Sequence, residues 1–241
     1  MILHGLRACS GSNVSGDARD TRNFCARDGS GHAEPTLCKP NRYPVAMPIL
    51  YVVRHGRVTT SPSNEEDPEL SPEGQSQAAA VAEELHARLG ERLPILTSPL
   101  RRCRETAAPL CARWDVEPIV EPRIAEVPGP PPSALPRQEW LRRSLSADWT
   151  ELFEIGKTAL EGFDTTLRNW RAGVLQAVLA CPHDAVIFSH FVPVNVLTGH
   201  ATRSERVACF LPDHTSVTVF ETNGNEIRLV ERGRALKSRI S

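Results

Sequence analysis

The protein is a chain of 241 residues, of which 40% are hydrophobic and 24% are charged, and its 28 basic and 29 acidic side chains leave a formal net charge of −1. This length supplies enough apolar residues for the core of one large domain or of two small ones. The near-neutral charge argues against broad nucleic-acid binding, and no apolar run approaches the ~18–20 residues that span a bilayer, so we predict neither nucleic acid nor a membrane among its partners.

The seven cysteines and eight histidines are spaced without a pattern that would indicate a disulfide framework or a metal site. The cysteine count is odd and no C-x-x-C occurs, which fits a reducing compartment. The histidines show no H-E-x-x-H or similar ligand spacing. We therefore expect no metal and no other cofactor, and we predict a cytoplasmic location.

The chain divides at residue 46. Residues 1–46 carry scattered apolar side chains with no period, and they lack the apolar core of a secretory signal. This composition predicts a disordered tail followed by one folded domain at 47–241. Met47 directly precedes the first predicted strand. Two interpretations stay open: either Met47 is the natural start, or residues 1–46 are an ordinary functional tail.

From Met47 onward the pattern alternates between strand and helix. Apolar runs predict strands at 49–53, 94–97, 117–120, 185–188, 207–211, 216–220 and 226–231. Serine followed by proline at 71–72 and at 98–99 predicts a helix start at each place. Apolar residues at helical spacing predict two helices, one through 141–152 and one through 163–178, after an extended proline-rich loop at 127–137. We predict a three-layer α/β/α sandwich, with a mostly parallel central sheet and an antiparallel edge.

Polar side chains follow four of the predicted strands. Arg54 and His55 follow the first strand, a serine and two arginines at 98–102 follow the second, Glu126 follows the third by a few residues, and His190 follows the strand at 185–188. Open α/β sheets bind ligands beyond the carboxyl ends of their strands. The sequence therefore predicts one crevice that contains arginine, histidine and a carboxyl group.

This set of groups suits phosphoryl transfer. Arginine forks bind the charged oxygens of a phosphoryl group, and a neutral imidazole nitrogen can attack phosphorus to form a covalent intermediate. A second histidine can donate a hydrogen bond to another oxygen, and a carboxylic acid can protonate the leaving alkoxide. Side-chain cations can neutralise the charge, so this chemistry does not require a metal.

The residues that carry this chemistry lie in five short motifs. They are R-H-G at 54–56, L-[ST]-x-x-G-x-x-Q-A at 70–78, S-x-L-x-R-x-x-x-T at 98–106, R-[LI]-x-E at 123–126 and S-H at 189–190. In this order they resemble the histidine phosphatase superfamily, in its phosphoglycerate-mutase-like branch. The likeness covers residues 48 to about 220, and it implies the phosphoglycerate-mutase-like fold.

The resemblance implies a role for each of five residues. His55 is the phosphorylated nucleophile, and Glu126 is the proton donor. The remaining three, Arg54, Arg102 and His190, form the phosphate pocket. The resemblance also implies a metal-independent enzyme, either a histidine acid phosphatase or a phosphoglycerate mutase-like phosphatase. We expect this enzyme to act on a small phosphorylated substrate as a monomer or homodimer.

The sequence departs from the family pattern after the second histidine, where Phe191 and Val192 replace two glycines. We expect Arg101 and Arg104 to form surface or rim contacts and the acidic run at 65–67 to form a solvated loop. His214 lies near the end of the predicted sheet and could form part of the pocket rim, but we favour a position at the surface. Three functions stay open: a phosphomonoesterase, a phosphoglycerate mutase-type phosphoryl transferase and, as the least favoured, a non-catalytic phosphate-binding protein.

Overall fold

A six-stranded sheet forms the centre of the computed structural model, which describes residues 47–59 and 67–236. The strand order is β3-β2-β4-β1-β5-β6, and the first four of these run parallel while β5 and β6 are antiparallel to their neighbours. The strands are β1 (Ile49–Arg54), β2 (Ile95–Thr97), β3 (Ile119–Val120), β4 (Ala185–Ser189), β5 (Val217–Thr222) and β6 (Ile227–Glu231). The predicted parallel sheet with an antiparallel edge is confirmed.

Helices cover both faces of the sheet. They are α1 (Pro72–Leu89), α2 (Arg101–Trp114), α3 (Arg137–Ser146), α4 (Trp149–Ala159), α5 (Phe163–Leu179) and α6 (Phe191–Thr202). One core cluster joins α1 and α2 to strand residues such as Val53 and Phe188. A second core cluster joins the helices α3, α4, α5 and α6 to strand residues on the opposite face, such as Val52 and Ile187. Because side chains alternate across a strand, adjacent residues of β1 and β4 enter different cores, and the predicted three-layer sandwich is confirmed.

The two predicted serine–proline helix starts have different outcomes. Ser71 caps α1, since its hydroxyl oxygen accepts from the Gly74 N–H at 3.1 Å and Pro72 occupies the first turn. The helix predicted after 98–99 is present, but Ser98 does not cap it, because α2 begins at Arg101. There the Asp67 carboxylate accepts from the Arg101 N–H at 2.8 and 2.9 Å. The Ser98 hydroxyl instead lies 2.7 Å from a ring nitrogen of His190.

Three other predicted elements differ from the structure. The helix predicted through 141–152 is two helices, because Asp148 accepts from the Glu151 N–H and starts α4 separately. The strand predicted at 207–211 is a loop, since the amide oxygen of Asn195 accepts from the Cys209 and Phe210 N–H groups, which a strand would use for pairing. The third strand is shorter than predicted and spans only Ile119–Val120.

The predicted tail at 1–46 lies outside the described residues and stays a prediction. Within residues 47–59 and 67–236, no helix is both long and apolar enough to cross a membrane.

Candidate active site

Strand register brings the two motif histidines together, although 135 positions separate them. Arg54 of β1 pairs with Ser189 of β4, so the next residue in each strand leaves the sheet at the same point. The His55 N–H donates to the Ser189 carbonyl at 2.9 Å. The rings of His55 and His190 then lie edge to face, with centroids 5.2 Å apart. This is the carboxyl edge of the parallel strands, where the sequence predicts the crevice.

His55 is a neutral imidazole with a defined tautomer. Its Nδ1 lies 2.8 Å from the Gly56 carbonyl oxygen. A carbonyl only accepts, so Nδ1 carries the proton and Nε2 keeps its lone pair. Burial, followed by the charges of Arg102 and Arg54, holds the pKa of His55 well below its usual value of 6.5. The arrangement leaves one ring nitrogen able to act as a nucleophile near neutral pH.

Two motif glycines and a threonine hold the loop that carries His55. A Cβ at Gly56 would lie 2.8 Å from the carbonyl oxygen of Gly74, so only glycine lets β1 approach the start of α1 this closely. The Gly56 N–H donates to the Thr106 hydroxyl oxygen at 3.0 Å, and that hydroxyl donates to the Arg102 carbonyl at 2.6 Å. Three of the five motifs are therefore joined by direct backbone contacts around the nucleophile.

Arg102 reaches the site from the first turn of α2. It is 8% exposed, whereas Arg101 and Arg104 in the same turn are exposed. Arg101 forms ion pairs with Glu69 and Glu105 at the surface. The Arg102 NH1 lies 3.3 Å from a carboxylate oxygen of Asp67.

The Asp67 contacts correct one sequence prediction. The acidic run at 65–67 is not simply a solvated loop, because Asp67 caps α2 and contacts the buried Arg102. The other two residues of that run lie outside the described part of the chain. No local pattern in the sequence indicates this cap, since Asp67 and the helix that it caps are more than thirty residues apart.

The Arg54 guanidinium is held on several sides, and one of its three nitrogens is buried without a described partner. Its Nη1 donates to the Pro212 carbonyl at 2.7 Å, and its Nη2 lies 3.3 Å from Nε2 of His214. The central carbon of the guanidinium lies 5.2 Å from the centroid of the Phe191 ring. Its Nε is buried and has no hydrogen-bond partner among the described residues. A buried donor without an acceptor is costly, so this N–H suits an anionic ligand oxygen.

His190 is fully buried at the junction of β4 and α6. Its Nε2 lies 2.7 Å from the Ser98 hydroxyl and 3.4 Å from the Cys103 sulfur. Burial, followed by the charges of His55 and Arg102, holds its pKa well below 6.5. The N-terminus of α6 begins at the next residue, so the positive end of the helix dipole lies beside the two histidines.

Glu126 enters the site from the segment after β3. Two hydrogen bonds to the residues just before Glu126 fix this segment: the Ser189 hydroxyl donates to the Ile124 carbonyl, and the Trp170 indole donates to the Ala125 carbonyl. The Glu126 Oε1 accepts from the Val127 N–H at 2.9 Å and from the Val192 N–H at 3.2 Å. Burial raises its pKa above the usual 4.5, although these bonds and Arg102 partly oppose the rise. The raised pKa favours the protonated acid.

His214 belongs to the site, and the prediction that it lies at the surface is wrong. Its ring centroid is 6.1 Å from that of His55, and burial with the Arg54 charge lowers its pKa to about 4. The backbone explains the position, because the Thr215 N–H donates to the Arg54 carbonyl and the Arg54 N–H donates to the Ser216 carbonyl. The strand order could have predicted this position of His214: β5 runs antiparallel to β1, so the residues before β5 lie beside the end of β1.

Comparison with known proteins agrees with this geometry. A family model described as histidine phosphatase superfamily (branch 1) matches residues 50–234, which is more than half of the chain. The chain belongs to this superfamily. A curated relative, the uncharacterized protein Rv0525 of Mycobacterium tuberculosis, is 32% identical over 168 residues, which cover 64% of this chain and 78% of the relative.

Solved structures of two phosphatases share the fold. The mycobacterial glucosyl-3-phosphoglycerate phosphatase is 21% identical with a TM-score of 0.52, and the match covers 78% of this chain and 100% of that one. Phosphoserine phosphatase from Entamoeba histolytica is 20% identical with a TM-score of 0.55, covering 79% and 98%. These likenesses confirm the predicted phosphoglycerate-mutase-like fold of this histidine phosphatase.

Proposed function

We propose that this histidine phosphatase is a metal-independent phosphomonoesterase that acts through a phosphohistidine on a small phosphorylated compound. The observation that carries the proposal is the presence of a neutral His55, whose Nε2 lone pair is available, together with a buried Arg54 N–H that has no acceptor among the residues the structure describes. A phosphoryl group fits both, because its phosphorus accepts the lone pair and its oxygens accept the hydrogen bond.

The first half of the proposed reaction transfers the phosphoryl group to the protein. The Nε2 lone pair of His55 forms a bond to phosphorus while the bond from phosphorus to the ester oxygen breaks. Glu126 gives its proton to the leaving alkoxide. The imidazole becomes positively charged, and the Gly56 carbonyl stabilises the Nδ1–H that remains. Arg54 and Arg102 neutralise the charge on the phosphoryl oxygens.

The second half transfers the phosphoryl group to water. Glu126, now a carboxylate, takes a proton from the attacking water and so regains its acid form. The new bond from water oxygen to phosphorus replaces the bond from Nε2, and inorganic phosphate leaves. The cycle returns His55 to its neutral state without a metal. Among the described residues, no three His, Cys, Asp or Glu side chains cluster in a way that could hold a metal ion.

Two contacts favour water over a second substrate hydroxyl as the acceptor. The Asp67 carboxylate lies 3.3 Å from Arg102, so it competes with a second anionic group for that cation. The Phe191 ring lies against Arg54 and is almost fully buried, so it supplies an apolar wall where the family usually has glycine. A mutase must grip an anionic acceptor in two orientations, and neither contact helps to do so.

We expect the full-length protein to release inorganic phosphate from at least one small phosphomonoester in buffer that contains EDTA, and to interconvert 2- and 3-phosphoglycerate slowly or not at all. Phosphate release from a panel of phosphorylated metabolites and p-nitrophenyl phosphate measures the first activity, and an NMR assay of the phosphoglycerates measures the second. Rapid interconversion primed by bisphosphoglycerate, with little phosphate release, would establish the mutase instead. Activity that EDTA removes and a divalent ion restores would contradict the metal-independent mechanism.

The rate should follow a bell-shaped pH profile with an acidic optimum. His55 must be neutral to attack, and its pKa is lowered, so activity is lost only as the pH falls well below 6.5. Glu126 must be protonated to donate, and its pKa is raised, so activity falls as the pH rises through a value above 4.5. Initial rates between pH 3 and 9 measure both limbs. An acid limb centred at or above 6.5 would contradict the assignment of His55.

A further inference from the structure

We propose that His214 is a positioning residue that holds the Arg54 guanidinium in place for the transferred phosphoryl group. This inference rests on the proposed function. None of the five motifs contains His214, and its place in the site follows from tertiary contacts. The Nε2 of His214 lies 3.3 Å from Nη2 of Arg54, and the His214 side chain is 18% exposed.

The direction of this contact is determined by chemistry. A guanidinium has only donors, so the His214 Nε2 accepts and its ring carries a proton on Nδ1 alone. The neutral ring that this requires agrees with its pKa of about 4. A lysine or a protonated histidine at this place would repel Arg54, whereas a neutral acceptor stabilises its position.

His214 completes a set of contacts that engages both terminal nitrogens of the Arg54 guanidinium. The Pro212 carbonyl accepts from Nη1 of Arg54 at 2.7 Å, and His214 accepts from Nη2. The centroid of the Phe191 ring lies 5.2 Å from the guanidinium carbon. The Nε–H is the buried donor that no described residue satisfies. Removing the His214 acceptor would let the guanidinium turn, so its remaining N–H groups would no longer be held in place for a phosphoryl oxygen.

Phosphate affinity is the quantity that this role controls. Arg54 binds the phosphoryl group both before and during transfer, so a misplaced guanidinium raises KM and weakens inorganic phosphate binding more than it lowers kcat. A direct acid or base role for His214 would have the opposite signature, because it would lower kcat and move the pH profile while leaving phosphate affinity unchanged.

The test compares four proteins: wild type, His214→Leu, His214→Gln and the control His183→Leu. His183 is the control because its side chain is exposed and it lies in a different segment of the chain from His214. For His214→Leu we expect the KM for p-nitrophenyl phosphate and the calorimetric Kd for inorganic phosphate to rise about 10-fold or more. Glutamine keeps an acceptor oxygen on a side chain of similar reach, so both constants should stay within about threefold of wild type. The control should match wild type.

The outcomes separate this inference from the proposed function. If wild type binds phosphate but hydrolyses no ester, the proposed function fails and the series of Kd values still decides the role of His214. If His214→Leu binds phosphate as tightly as wild type, the positioning role is wrong. A melting temperature that falls equally in both His214 variants, without rescue of phosphate binding by glutamine, would show a structural role instead. A wild type that does not bind phosphate would overturn both.

Discussion

His55→Ala is expected to reduce phosphoester hydrolysis by about 10³-fold or more, because the proposed covalent intermediate forms on this side chain. In the proposed mechanism the Nε2 lone pair of His55 is the nucleophile, whereas the Nε2 of the neighbouring His190 lies 2.7 Å from the Ser98 hydroxyl. Turnover of p-nitrophenyl phosphate measures the loss. Mass spectrometry of rapidly quenched wild-type protein should find a phosphoryl group on His55, and the variant should carry none.

The fold should survive this substitution. The hydrogen bonds that hold the loop use the backbone of His55 and Gly56 and the Thr106 side chain, and alanine keeps all of them. His183→Ala is the matched control, since it removes an exposed histidine. Both variants should melt within a few degrees of wild type. Near wild-type turnover by the His55 variant, with its fold intact, would refute the phosphohistidine mechanism.

Glu126→Gln is expected to lower kcat by about 10²–10⁴-fold for alkyl phosphates, because their alkoxide leaving groups need a proton. Glutamine keeps the oxygen that accepts from the Val127 and Val192 N–H groups, so the local structure should persist. For p-nitrophenyl phosphate the leaving group departs without a proton, so the first step should be much less affected. Steady-state rates with both substrate types measure this difference.

The same variant tests the second step. Glutamine cannot take a proton from water, so with p-nitrophenyl phosphate the phosphorylated protein should accumulate and produce a burst of nitrophenolate. The alkaline limb of the pH profile should also disappear, because it reports the ionisation of Glu126. Glu117→Gln, an exposed carboxylate, should behave as wild type. An equal loss with both substrate types and an unchanged alkaline limb would assign the proton donor elsewhere.

Phe191 makes this site differ from the family pattern, because it places an aromatic ring beside the motif arginine. The family usually has glycine after the second histidine, and here an aromatic ring packs against Arg54 while its own residue begins α6. Arg54 and His214 therefore meet beside a largely apolar wall, where a hydrogen bond to a charged group is stronger than in water. This environment connects the departure from the motif to the positioning role proposed for His214.

Local pattern predicted most of the strands and helices and suggested the roles that we propose for the motif residues. The buried strand at 49–53, the capped helix start at 71–72 and the Arg-His-Gly motif after the first strand depend on side-chain period, capping chemistry and short spacing, all of which one stretch of sequence contains. Parallel strand ends must meet at one edge, so four separate polar clusters predicted a single crevice. The structure places His55, Arg54, Arg102 and His190 around that edge, together with Glu126.

Only the tertiary structure decided the contacts between distant segments. Asp67 replaces the predicted serine as the cap of α2, and the Asn195 amide oxygen accepts from the N–H groups of a predicted strand. His214 approaches Arg54 from the segment before the neighbouring strand β5. Each of these is a polar side chain satisfying a donor from another part of the chain. Hydrogen bonds of this kind have no sequence period, because the partner is chosen by proximity after the sheet and helices have packed. Sequence therefore predicted which groups could perform the chemistry, and packing decided which neighbours orient them.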